Sequence, residues 1–123
     1  MLINLTNHPY SSWTVTQRHE AEVRFGAVID VPFPQIDPSM HVESVQFIVD
    51  QTVQRCVDLL AQLESEPGGI HVMGEFTFTY LFVAEMERRG ILCVCSTGTR
   101  NAIIREDGVK ESLFRFEQFR PYF

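Results

Sequence analysis

The chain reads as a single α/β domain, residues 1–123, built on a mainly parallel sheet with helices on both faces and closed by a C-terminal β-hairpin. Three observations predict this. Short apolar runs of strand length alternate with longer segments of helical period over residues 1–95, the pattern of crossover units feeding a parallel sheet. Glycines stand at Gly26 and Gly90, where helices would end. Beyond Ala102 the rhythm changes to a two-residue alternation around Glu106-Asp107-Gly108, a hairpin signature.

The elements follow in order. Met1 to Thr6 is a short apolar run stopped by Asn7-His8-Pro9, a buried first strand whose ladder ends at the proline. Ser11 or Ser12 can cap a helix from about Trp13 to Phe25, with Trp13, Ala21 and Phe25 at helical spacing. Ala27 to Phe33 is a second strand, closed by Pro32 and Pro34. Asp37-Pro38 suits an N-cap and first helical position, with His41 or Val42 as the alternative start. From Val42 to about Glu64, the positions Val45, Val49, Val53, Cys56, Leu60 and Leu63 keep one apolar face. Pro67-Gly68-Gly69 breaks this helix, and Ile70 to Met73 is a third strand. Glu75 to Arg89 forms another helix with Phe78, Leu81, Phe82 and Met86 inward, and Ile91 to Cys95 is a fourth strand. Ala102 to Arg105 and Leu113 to Phe119 are the hairpin arms. There is no internal repeat, low-complexity tract or linker to divide the chain.

Composition limits the partners. With 45% hydrophobic residues, ten of them Phe, the chain can build a core without staples. Its net charge of −6 argues against coating duplex DNA or an anionic membrane. The charge is uneven. Residues 1–87 carry three Arg against twelve acids, whereas residues 88–123 carry six Arg and one Lys against four acids. Arg suits bidentate phosphate or carboxylate recognition, although a solvated face of surface ion pairs would have the same composition. Three cysteines, no secretory signal and no apolar run of transmembrane length lead us to expect a reduced, cytoplasmic protein. Cys93 and Cys95 share a strand face and suit core packing. With neither a CxxC pair nor an HxxxH spacing, we expect no metal site and no cofactor.

Ligands of open parallel sheets bind beyond the carboxyl ends of the strands, where strand order reverses. If the order begins 2-1-3-4, that crevice lies between the loops after strands one and three and brings Asn7-His8 beside Gly74-Glu75-Phe76-Thr77. Gly74 lets a ligand approach the backbone, and the amides of the following helical turn favour an anion, with Thr77 adding a hydroxyl. Glu75 repels phosphate. It would contact a ribose hydroxyl or take a proton, unless it only complements the helix dipole. Asn7 and His8 suit a phosphodiester, His8 because imidazole exchanges a proton near neutral pH; a plain surface turn is the alternative. Trp13 could stack a base or staple its helix to the core. Cys95-Ser96-Thr97-Gly98-Thr99-Arg100 has one residue too few between Cys and Arg for a phosphatase loop. It reads instead as a polar loop in which Ser96, Thr97 and Arg100 hold phosphate or sugar.

Leu2-Ile3-Asn4-Leu5-Thr6-Asn7-His8-Pro9, Asp30-Val31-Pro32-Phe33-Pro34, Gly74-Glu75-Phe76-Thr77 and Phe114-Arg115-Phe116 together resemble a small CRISPR-associated, Rossmann-like family similar to single CARF domains. The resemblance spans nearly the whole chain. It implies a homodimeric ring nuclease of antiviral defence, a hydrolase-class enzyme that opens cyclic oligoadenylate, with cyclic tetra-adenylate favoured. Asn7, His8, Gly74 and Thr77 fill the family's ligand positions. The turn departs from the Gly-Gly-Thr-Lys type and lacks its basic contact, which Arg100 or Arg105 would supply. The residues fit a metal-independent reaction in which a ribose 2′-hydroxyl attacks the neighbouring phosphate. His8 would be general acid or base and Glu75 its partner. Two alternatives are a non-catalytic nucleotide sensor and a metal-dependent hydrolase using His8, Asp30 and Glu75.

Overall fold

A computed structural model describes residues 1–63 and 68–123. The elements run β1 (Leu2–Leu5), a 3-10 turn (Tyr10–Ser12), α1 (Val15–Phe25), β2 (Val28–Asp30), α2 (Val42–Gln62), β3 (Gly69–Val72), α3 (Phe76–Arg88), β4 (Cys93–Ile104) and β5 (Lys110–Pro121). They form a five-stranded sheet of order β2-β1-β3-β4-β5. The first three pairings are parallel and β4–β5 is antiparallel, which is the expected α/β class, with the order reversing at β1 as the crevice argument supposed.

Strand parity divides the core into two layers. Ile3, Leu5, Ile70, Val72 and Cys93 face α2 and α3, which contribute Val45, Val49, Val53, Cys56, Phe78, Phe82 and Met86. Leu2 and Val94 face the other way, where they meet Trp13, Ala21 and Phe25 together with Phe116 and Phe119 of β5. Each such large apolar side chain contributes about 2–3 kcal/mol when fully buried. Cys56 and Cys93 are free and buried in the first layer, where loss of hydration pushes both thiols up to about 12. These two thiols therefore act as packing groups. No helix among the described residues is long and apolar enough to cross a membrane.

Several boundaries move for local reasons. The first helix begins at Val15, capped by the Thr14 side chain, which accepts from the Gln17 amide. Ser11 and Ser12 lie in the preceding 3-10 turn, and Trp13 follows it as an extended C-cap residue rather than a helical one. Prolines 32 and 34 confine β2 to three residues, Val28–Asp30. Of the two starts open for α2 the chain takes Val42 with His41 as cap, while the Asp37 carboxylate closes a turn on the Ser39 amide. Leu63 is exposed. The expected helix end at Glu64 and the break at Pro67 lie outside the described residues.

The largest correction concerns β4. It runs twelve residues without a loop at 96–101, paired with β5 from Val94–Pro121 to Ile104–Lys110 around one bulge at Thr97/Gly98. Ser96, Thr97 and Arg100 therefore stand on a strand. Sequence parity hides this because Ser96-Thr97-Gly98-Thr99 has turn composition, and the partner strand supplies the order that local propensity does not.

Gly74 has a different role from the one its position suggests. A Cβ there would lie 2.3 Å from the Phe33 ring, so the glycine admits Phe33, which packs edge-on against Phe78 at 4.9 Å. Gly74→Ala should destabilise the fold by about 1–3 kcal/mol through overpacking. In urea unfolding, adding Phe33→Leu to that variant should recover most of the loss; no recovery would place the strain elsewhere.

Candidate functional site

The carboxyl ends of β1 and β3, with the part of β4 that runs on past them, carry a polar cluster built around one amide. Asn4 sits mid-strand on the face where its neighbour Leu2 is apolar core, and it is 1% exposed. A buried amide must have all its hydrogen bonds met. Its Nδ2 donates to the Asp30 carboxylate on β2 and to the His8 carbonyl, each at 2.8 Å. Its Oδ1 lies 3.0 Å from both Thr6 Oγ1 and His71 Nδ1. Asn4 thus joins β1, β2, β3 and the loop after β1.

His71, on β3, is the residue sequence reasoning missed. It is 2% exposed, with Trp13 and Phe119 edge-on at 5.2 and 5.3 Å. Burial first, and the nearby His8 second, hold its pKa down at about 4. The ring is therefore neutral at pH 7. Its Nε2 meets Ser96 Oγ on β4 at 3.2 Å. The sequence does carry a signal: Asn4 and His71 are the polar members of short apolar strands, and the β1–β3 register pairs them directly.

The His8 loop is fixed by its backbone. The His8 carbonyl accepts from Asn4 Nδ2, from Trp13 Nε1 at 3.0 Å and from Thr6 Oγ1 at 3.1 Å, and its amide donates back to Thr6 Oγ1. The residue lines a cleft of about 490 Å³ together with Asn7, Trp13, His71, Ser96 and Arg100, with Gly74 and Phe114 among the remaining walls. This volume suits a nucleotide-sized ligand. Arg100 stands over the Phe114 ring, 5.8 Å from its centroid, and none of the ion pairs among the described residues involves it.

Thus Asn7, His8, Trp13, Gly74, Ser96 and Arg100 come together as the sequence suggests, although Trp13 is a buried wall of the cleft. The others do not join them. The Glu75 carboxylate caps α3, accepting from the Thr77 and Phe78 amides at 3.1 and 2.7 Å, and these bonds hold its pKa below the usual range. The helix amides expected to receive an anion already hold this carboxylate. Glu75 and Asn7 border a neighbouring groove formed by Phe33 to Asp37 and Met40. Thr97 Oγ1 donates to the Gln118 carbonyl, and Arg105 pairs with Asp107 at the hairpin tip. His8, Asp30 and Glu75 form no converging ligand set, since no three His, Cys, Asp or Glu side chains among the described residues converge on a metal position.

The chain matches the family profile described as Uncharacterized protein MJ1673 family over residues 1–120 and belongs to that family. Neither a curated protein nor a solved structure matches it.

The depressed His71 pKa makes stability depend on pH. The unfolded chain takes a proton near 6.5 and the folded chain only near 4, so this contribution is complete above pH 6.5 and is lost as pH falls toward 4. Between pH 7 and 5 the wild type should lose about 2 kcal/mol of unfolding free energy from this group. His71→Asn should show that much less pH dependence in parallel urea titrations. Equal slopes would mean that His71 titrates normally.

Proposed function

We propose that this member of the MJ1673 family binds cyclic oligoadenylate, cyclic tetra-adenylate in preference, as a cytoplasmic homodimer and opens the ring without a metal or cofactor, thereby switching off type III CRISPR signalling. The observation that carries the reading is the cleft at the carboxyl ends of β1 and β3 beside β4, where a backbone-anchored His8 and an Arg100 that makes no ion pair among the described residues share one wall system. A site at this point of reversed strand order, with a cation, an imidazole and aromatic surface, fits a phosphodiester joined to a base.

In this reading Arg100 and the Asn7 amide hold the phosphate, and Phe114 under Arg100 offers a face for adenine. The ribose 2′-hydroxyl attacks the adjacent phosphorus in line and gives up its proton to solvent water, the phosphorus–O5′ bond breaks, and His8 gives a proton to the departing O5′. The products are a 2′,3′-cyclic phosphate and a 5′-hydroxyl. Glu75 takes no part, being committed to the α3 cap. The dimer finds support in the β4–β5 ribbon. Ile103, Ile104, Leu113 and Phe114 on its strands and Val109 in its turn are exposed, and a two-stranded ribbon is marginal by itself in water. A second copy packed there would bring two clefts, each walled by Arg100 and Phe114, against one symmetric ring.

Incubation with cyclic oligoadenylates of several sizes, with and without chelator, tests the proposal by chromatography. Conversion of the tetra-adenylate ring to linear product in chelator is expected; binding without turnover would instead make the protein a sensor. His8→Ala should lower single-turnover cleavage by about 10²-fold or more while leaving affinity within a few-fold. Arg100→Ala should do the reverse, weakening affinity by about tenfold or more. Unchanged turnover in His8→Ala would remove that residue from the mechanism.

A further inference from the structure

We infer that Ser96 meets the ligand as a hydrogen-bond acceptor, its own proton being turned inward to His71, and that it therefore selects a sugar hydroxyl rather than a phosphate oxygen. The inference rests on the nucleotide reading above and assigns one of its contacts.

Asp30 sets the polarity of Ser96 through Asn4 and His71. A carboxylate and a backbone carbonyl can only accept, so the end of the Asn4 amide that lies 2.8 Å from Asp30 Oδ1 and 2.8 Å from the His8 carbonyl is its NH₂ group. The other end is the oxygen, and His71 Nδ1 at 3.0 Å must carry a hydrogen to face it. The buried ring holds one proton. Its Nε2 is therefore a bare lone pair, aimed at Ser96 Oγ at 3.2 Å. The Met73 sulfur also lies 3.2 Å from that oxygen, but a thioether is the weaker acceptor and the serine proton goes to the imidazole.

What remains on Ser96 for the cleft it lines is lone pairs. These attract a hydroxyl or amine and repel a phosphate oxygen, which Arg100 is placed to take on the same strand. A ribose 2′-hydroxyl donated to Ser96 is held by its proton, with the oxygen left to approach phosphorus. His71 is here a positioning residue, because it touches Ser96 and sets its polarity.

Two measurements decide the matter. Long-range ¹H–¹⁵N correlation spectra of the labelled protein at pH 7, assigned with His71→Asn, should show His71 protonated at Nδ1 and bare at Nε2. The opposite tautomer would make Ser96 an acceptor from His71 and a donor to the cleft, overturning the inference. Affinities for cyclic tetra-adenylate and its all-2′-deoxy counterpart should differ by about tenfold or more in the wild type. In Ser96→Ala, checked for an unchanged melting temperature, the difference should fall to about threefold or less. A preference undiminished in Ser96→Ala would overturn the assignment. Failure of the wild type to bind either ring would defeat the cyclic oligoadenylate proposal, while the tautomer would still decide the polarity of Ser96.

Discussion

The buried amide of Asn4 is the constraint on which the carboxyl end of the sheet depends. Placed among Leu2, Ile3 and Leu5 at 1% exposure, it can be tolerated only if every donor and acceptor is matched, since an unmatched buried polar atom costs about 1–3 kcal/mol. Matching it needs Asp30 from β2, His71 from β3 and the His8 carbonyl from the following loop. Three strands and a loop must therefore close in one register. The same bonds that satisfy the amide set where His8 projects and which nitrogen of His71 faces Ser96.

Around that centre the aromatic residues do two jobs. Trp13 closes the cleft, donates to the His8 carbonyl and packs edge-on against His71. Phe119 of β5 packs against both Trp13 and His71, and Arg24 of α1 donates to the Phe119 carbonyl. This apolar enclosure keeps His71 neutral, which makes it a fixed acceptor for Ser96 while His8, outside the enclosure, remains open to ligand. Two histidines near one cleft are thus separated in role by burial.

Much of this is legible in the sequence, and the misses have physical causes. Helix faces follow from periodicity, and the meeting of Asn7, His8 and Gly74 follows from the rule for strand carboxyl ends once the order 2-1-3 is supposed, an order that periodicity alone does not fix. Glu75 is different: from sequence it is a candidate partner of His8, but a carboxylate directly before a helix finds its own amides before it finds another side chain. Arg105 is drawn to Asp107 by the hairpin turn. The placement of Ser96 and Arg100 needs the long β4–β5 pairing, a nonlocal contact that their turn-like neighbours conceal. His71 escapes because a polar residue in a strand is ordinarily read as solvent-facing; only the parallel register opposite Asn4 shows that it is not.

The proposed function stands or falls with ligand entering the cleft bounded by His8, Trp13, Ser96 and Arg100. Titrating ¹⁵N-labelled protein with cyclic tetra-adenylate and following backbone amide shifts tests it most directly. The largest changes should cluster at residues 7–14, 71–74 and 96–100. Changes confined to the groove of residues 33–40 or to the hairpin tip at 105–110, or none at all, would contradict it.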